Sequence, residues 1–384
     1  MRKPRVLLVQ ASINPPGGGN GVAAWMVEAL RTDCEVTVLT RVPTDWRTVN
    51  RFFGTSVDST SVRALRCDRR PPRLAPRVVP MGLLNDLILM REARRVAPGF
   101  DLTITAMNEA DLGSPAIQYV HYPRFDPVRP NVDLRWFHRA PGLLDAYRRA
   151  VVGLTGFSVP RMRMNLTLAN SNWTANRFKT LHAKDANVLH PPIALGAPGA
   201  PWGERENRIL MIGRISPEKR FEAGMKIVRT LRTLGHPLTL TIVGTDDDAA
   251  YTSKIRGDAS NCGFAEIREG ISREELGALL ARSRYGLHCM ENEHFGMAVA
   301  EMARAGVLVF AHRSGGPIEI LNDSRLLYLD TEDAVRKISP ALADPAFAEE
   351  LAAALSSTSE RFSAEAFCEQ IRKTVFERLE APLQ

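Results

Sequence analysis

No run of apolar residues in this chain of 384 reaches the ~18 to 20 that a membrane-spanning helix needs. Cysteine is scarce too. The five present (Cys34, Cys67, Cys262, Cys289, Cys368) are scattered, odd in number and form no CxxC pair, so neither a disulfide framework nor a zinc site is indicated. Reduced thiols in a cytoplasmic protein are the expectation. No helix-turn-helix, zinc or RNP-like signature is present, which argues against nucleic acid as a partner. Low-complexity tracts and short repeats are also lacking. The apolar segment RVLLVQ (5–10) opens the chain so early that no signal peptide is expected.

What is present fits a soluble globular protein, with 45% apolar and 24% charged residues. The length exceeds one ordinary core and suits two domains of roughly 180 residues each. The net charge of +7 is unevenly spread. Residues 1–200 hold 27 Lys and Arg against 15 Asp and Glu, whereas residues 201–384 hold 23 against 28. A basic first half attracts an anionic membrane, an acidic substrate or an acidic carrier protein.

Short apolar strands alternate with helix-period segments. Strands are expected at RVLLVQ, EVTVLT (35–40), DLTITA (101–106), IQYVHY (117–122) and NLTLAN (165–170). The scheme repeats at RILMIGR (208–214), LTLTIVG (238–244), YGLHCM (285–290) and VLVFAH (307–312). Helices such as KRFEAGMKIVRTLRTLG (219–235) lie between them. The pattern predicts an α/β protein with two doubly wound parallel sheets facing a cleft. HPPIALGAPGAPWGE (190–204) reads as the linker, and RRPPRLAPRVVP (69–80) as a mobile surface loop. In such sheets, ligands sit outside the carboxyl ends of the strands.

Those ends carry three features. Gly17, Gly18 and Gly19 precede a helix, where bare amides suit an anion; a plain tight turn fits equally. No GK[ST] follows, so a Walker loop is excluded. Arg214 and Lys219, spaced R-x4-K in GRISPEKR, set two cations at a helix start that can neutralise a diphosphate. A solvated basic helix start is the default for that pair taken alone. MENEHFGMAVAEMARAG (290–306) then puts Glu293 on a loop and Glu301 inside an apolar helix starting near Gly296. The amides of Phe295, Gly296 and Met297 would be free for phosphate oxygens. Eight residues apart, the two carboxylates lie about 80° apart around a helix, so both can face a ligand. A buried carboxylate needs donors, and vicinal sugar hydroxyls supply them.

With PPGGGNGVAAW, YVHYP (119–123), NSNWTANRF (170–178), HPPI, ISPEK and NEHFGMAVAEMARAGVLVFAHRSGGP in order, the chain resembles retaining GT-B glycosyltransferases of family 4, the E-x7-E type. Within that family it resembles the eukaryotic GDP-mannose-dependent α-1,2-mannosyltransferases of dolichol-linked oligosaccharide assembly. The resemblance implies two Rossmann-like domains: an acceptor-binding domain over 1–195 and a nucleotide-sugar domain over 196–365. A C-terminal helix (366–384) would return to the first. It implies that Arg214 and Lys219 hold the donor diphosphate, helped by the Phe295 to Met297 amides. Glu293 would then hold hydroxyls of the transferred sugar and Glu301 the ribose, with His294 among the donor-binding residues. Gly18 and Gly19 would let the first loop approach the phosphates or acceptor, and His121 would orient the donor sugar or acceptor. The leaving diphosphate would be stabilised by these groups, with no metal and no cofactor beyond the nucleotide sugar.

Expected acceptors are a lipid-linked glycan, a small natural product or a substrate on an acidic carrier protein. The cell is expected to be bacterial, the location cytoplasmic, with peripheral contact at the inner face of the membrane. Asp246, Asp247 and Asp248 are reminiscent of a metal-binding Asp-x-Asp but read better as a solvated loop. LRWFHRAPGLLDAYRRAVVGL (134–154) reads as an acceptor-domain helix with a basic face. Base contacts are expected near IREGIS (267–272). Two rivals remain: a nucleotide-sugar epimerase of the same architecture, and a non-catalytic nucleotide-sugar-binding protein.

Overall fold

The computed structural model describes residues 2–69, 82–126, 141–194 and 199–380. Most of the loop expected at 69–80, the first residues of the segment 134–154 and the expected boundary at 195 fall outside them. The chain divides into two compact units, residues 1–192 with 364–384, and residues 193–363.

The first unit runs β1 (Arg5–Val9), α1 (Gly18–Leu30), β2 (Glu35–Thr40), α2 (Trp46–Phe53), β3 (Arg63–Arg66), α3 (Gly82–Val96), β4 (Leu102–Thr105) and β5 (Ile117–Val120). It continues through α4 (Pro141–Thr155), α5 (Val159–Arg163), β6 (Leu166–Ala169), α6 (Asn172–His182) and β7 (Asn187–Val188). The second unit runs β8 (Glu206–Ile212), α7 (Phe221–Thr233), β9 (Thr239–Gly244), α8 (Ala249–Cys262), β10 (Ala265–Glu269), α9 (Arg273–Arg282) and β11 (Ser283–His288). It then continues with α10 (Met297–Arg304), β12 (Leu308–His312), α11 (Pro317–Leu321), β13 (Leu327–Tyr328), α12 (Thr331–Ala343) and α13 (Pro345–Ser359). The last helix, α14 (Ala364–Glu380), belongs to the first unit.

All described strand pairs are parallel. The sheet orders are β3-β2-β1-β4-β5-β6-β7 and β10-β9-β8-β11-β12-β13. Each order reverses once, between β1 and β4 and between β8 and β11. Loops leaving those neighbouring strands head in opposite directions and open a crevice at the carboxyl edge. The two faces of the first sheet are visible along β1, where Val6 and Leu8 join one core and Leu7 and Val9 the other.

α14 explains how the chain's last stretch is held. Phe367, Ile371 and Val375 recur every four residues and are buried against the core beneath α1. Arg372 pins the same contact by donating to the Ala29 carbonyl at 3.2 Å. Ile371 is fully buried, so Ile371→Ala should cost about 2–5 kcal/mol. Urea unfolding monitored by circular dichroism checks this, and a loss below about 1 kcal/mol would mean that α14 is not integral to the unit.

Candidate active site

Lys219 follows β8 and Glu293 follows β11, so the reversal in strand order makes neighbours of residues 74 positions apart. Their side chains meet, Lys219 Nζ lying 2.5 Å from Glu293 Oε2. Neither is exposed to more than 15%. Gly213 makes room, because a Cβ there would sit 3.3 Å from the Lys219 stem. The backbone differs from the expected continuous helix. Pro217–Lys219 is a single 3-10 turn, Arg220 adopts a left-handed conformation (φ 53°), and α7 starts only at Phe221.

Glu293 is held from several sides. Its Oε1 accepts from the His294 amide at 3.1 Å, and His288 Nε2 lies 3.3 Å from Oε2. Burial alone would raise its carboxyl, but the Lys219 charge and the His288 ring outweigh that and hold it well below the usual 4.5. Burial likewise pushes His288 below 6.5, and Lys219 acts in the same direction against the pull of Glu293. The strand carrying His288 ends there, two residues earlier than expected, because Cys289 and Met290 turn into the loop.

A second segment braces this loop. Asn292 is left-handed (φ 53°), and its amide donates to Ser314 Oγ at 2.7 Å. The Gly316 amide donates to the Glu293 carbonyl at 2.8 Å. A Cβ on Gly315 would overlap that carbonyl, so only glycine admits so close an approach. His312 Nε2 donates to the Leu329 carbonyl at 3.0 Å, leaving Nδ1 to accept from Ser314 at 2.8 Å. Sequence reasoning assigned no role to His288, Ser314, Gly315 or Gly316. The SGGP run was the one available signal.

The remaining expected residues are distributed as follows. Arg214 is 57% exposed and pairs with Asp247 at 2.5 Å and Glu218 at 3.2 Å. The aspartate triplet is thus an exposed loop in which each carboxylate has a local partner. Asp246 accepts from Thr252 at 2.8 Å, and Asp248 caps α8. Among the described residues no three His, Cys, Asp or Glu side chains cluster as metal ligands.

Glu301 lies inside α10 but answers to Arg273, whose Nη1 donates to it at 2.8 Å. Sugar hydroxyls were the donors expected for this carboxylate; in the structure the first residue of α9 donates to one of its oxygens. The S-x-x-E capping box of Ser272 and Glu275 fixes that helix start and was a readable signal. Of the three expected amides, only Met297 lies in α10; Gly296 (φ 106°) is its cap and Phe295 precedes it with its ring buried. Gly296 contributes no side-chain cap, so the first-turn amides of this eight-residue helix have no intrahelical acceptor.

Gly18, Gly19 and His121 belong to the first unit. The glycines are not in a loop but open α1, with Gly17 (φ 129°) as its cap. A Cβ on Gly19 would come 3.1 Å from His121 Nε2, so the helix start packs directly on that ring. Asn108 Oδ1 accepts from the His121 and Tyr122 amides at 2.7 and 3.1 Å. The His121 carbonyl accepts from Asn170 Nδ2 at 3.1 Å. NSNWT thereby holds the YVHYP turn, a link invisible without the β5–β6 pairing.

The pair at the switch point has a stability signature. Glu293→Gln removes the carboxylate facing Lys219 and should cost roughly 1–3 kcal/mol at neutral pH. Because the Glu293 carboxyl is depressed in the folded state, its contribution is complete above the ordinary value of 4.5 and is lost as the pH falls below it. Urea unfolding of both proteins at neutral pH and at about pH 3.5 should therefore show the gap narrowing in acid. A gap independent of pH would contradict the pairing.

With this geometry established, residues 198–361 match the family described as "Glycosyl transferases group 1". The mouse GDP-Man:Man(3)GlcNAc(2)-PP-Dol alpha-1,2-mannosyltransferase is 32% identical over 171 residues, 40% of this chain and 35% of that protein. The Dictyostelium discoideum protein of the same name is 28% identical over 241 residues, 55% of this chain and 46% of that one. The chain thus spans about a third to a half of the length of these curated relatives. Among solved structures, Anabaena HepE in complex with UDP-glucose superposes with a TM-score of 0.69 at 15% identity, covering 97% of this chain and 100% of that one. Sucrose-phosphate synthase from Thermosynechococcus elongatus gives 0.67 at 17% identity, covering 98% and 99%. The expected α/β class with two Rossmann-like parallel sheets is borne out, and the fold is GT-B.

Proposed function

We propose that this chain, whose second unit carries a glycosyltransferase group 1 domain, transfers a hexosyl unit from a nucleoside diphosphate sugar to a hydroxyl acceptor. The Lys219–Glu293 pair carries this reading. It sets a cation for phosphate beside an acceptor for sugar hydroxyls, at the point in the sheet where such folds receive ligands. GDP-mannose is the favoured donor, supported by the names of the curated relatives; UDP-N-acetylglucosamine is the runner-up. The same names favour a lipid-diphosphate-linked glycan as acceptor over a small natural product or a carrier-bound substrate. Peripheral contact with a membrane belongs to this reading. Among the described residues no helix is long and apolar enough to cross one.

In the proposed reaction the acceptor oxygen attacks the sugar C1 while the C1–O bond to phosphate breaks. The electron pair leaves with the nucleoside diphosphate, and the acceptor proton passes to the departing phosphate oxygen. The configuration at C1 is retained. Lys219, Arg214 and the first amides of α10 stabilise the charge that develops, in place of a metal ion. Glu293 takes hydroxyls of the transferred sugar, with His294 beside it. The second oxygen of Glu301, which has no hydrogen bond among the described residues, takes the ribose. His121, with Gly18 and Gly19, is assigned to the acceptor or donor sugar.

Lys219→Ala and Glu293→Ala should each lower transfer from GDP-mannose by about 100-fold or more while the circular dichroism spectrum stays unchanged. Full transfer by either variant removes the site assignment. Incubating the wild type with donor alone separates the rivals: slow hydrolysis marks a transferase, an epimeric sugar an epimerase, and an untouched donor a binding protein.

A further inference from the structure

Lys219 has two claims on it. It is the cationic partner of Glu293 at 2.5 Å, and on the donor-site reading it is also the cation that a diphosphate would engage. The second role takes it from the first. Glu293 is only 14% exposed, and a buried carboxylate stripped of its cation is strongly unfavourable unless another donor arrives.

Few groups can answer. Oε1 already accepts from the His294 amide, while Oε2 is faced by Lys219 and by His288 Nε2 at 3.3 Å. Beyond these two, the neighbouring His294 acts on Glu293 through its charge, more weakly than Lys219 or His288 does. Arg214 is paired with Asp247 and Glu218, and Arg220 with Glu291. The His288 ring is 4% exposed, and its backbone carbonyl is pinned by the Tyr328 hydroxyl at 2.9 Å. It is therefore fixed beside the oxygen that Lys219 would vacate, just beyond a good hydrogen-bond length.

We propose that His288 is a positioning residue that takes over Glu293 Oε2 when Lys219 turns to an anionic ligand. This rests on the donor-site reading above. With Lys219 withdrawn, the Nε2–H donor needs to close only a few tenths of an ångström. Burial keeps the ring neutral while Lys219 is in place, so the two donors do not repel each other in the unliganded site. A consequence separates His288 from a residue that merely fills space. A complete nucleotide sugar brings hydroxyls that also serve Glu293, whereas the nucleoside diphosphate left after transfer brings none. His288 therefore matters most for the product.

Isothermal titration of the full chain with GDP, UDP and GDP-mannose tests this. For the nucleoside diphosphate that the wild type binds, His288→Leu should weaken binding by about tenfold, and for the nucleotide sugar by about threefold or less. His288→Gln, which keeps an N–H donor, should stay within about threefold of wild type for both. Thermal melts confirm folding; if His288→Leu does not fold, His288→Phe, similar in ring size and lacking donors, takes its place. Equal affinities in wild type and His288→Leu overturn the proposal, as does equal weakening of both ligands, or a Gln variant no better than Leu. A wild type that binds neither nucleoside diphosphates nor the nucleotide sugar sinks the donor-site reading itself, an outcome distinct from failure of His288 alone.

Discussion

The second unit is organised around a largely buried ammonium and a largely buried carboxylate that satisfy one another. Lys219 and Glu293 could not both sit at a sheltered sheet edge separately, since each would be an uncompensated charge. Placed 2.5 Å apart they are tolerated, and much nearby detail follows from keeping them so. Gly213 clears the path of the lysine stem. Arg220 reverses the chain so that the 3-10 turn can precede α7. Gly315 and Gly316 let a second backbone press against the loop that carries the glutamate.

Sheet topology is what makes the pairing available. A strand order that runs outward in one direction and then jumps back leaves β8 and β11 adjacent, with their following loops splayed apart. The first unit has the same arrangement at β1 and β4, where α1 opens on glycines against His121. Both units thus place small residues and titratable side chains at the one edge of a parallel sheet where backbone groups remain available to a ligand. Elsewhere the central strands are buried on both faces, which leaves no room for chemistry.

How much of this could be read from the sequence depends on the range of the interaction. The buried strands were legible because β-branched apolar runs stand between helix-period segments, and the helix after Phe295 ends where Gly306 turns left-handed. The edge strands β3 and β10 were not: RALR and AEIRE are charged, and an exposed edge lacks the apolar signature. The placement of Glu293 and Lys219 at strand ends followed from local pattern, but their contact needed the strand order. For the same reason Arg273 was missed as the partner of Glu301, since no local rule joins residues 28 apart. His288 was passed over because a histidine at the end of an apolar strand is most often a core residue.

The paired site carries a rule about what can open it. An anion alone can draw Lys219 away, but only by stranding a carboxylate. A sugar alone can offer hydroxyls to Glu293 but has no charge with which to compete for the ammonium. A molecule bearing a diphosphate next to a sugar does both at once, so each half offsets the desolvation that the other half imposes. Selectivity then comes from the cost of half-filled states rather than from many added contacts. His288 softens one of those states, the one left when the sugar has gone and the diphosphate remains. Without such a donor, the stranded Glu293 would reclaim Lys219 and hasten departure of the product; with it, the site stays open longer after transfer. The balance between these tendencies lies in one imidazole at the end of a strand.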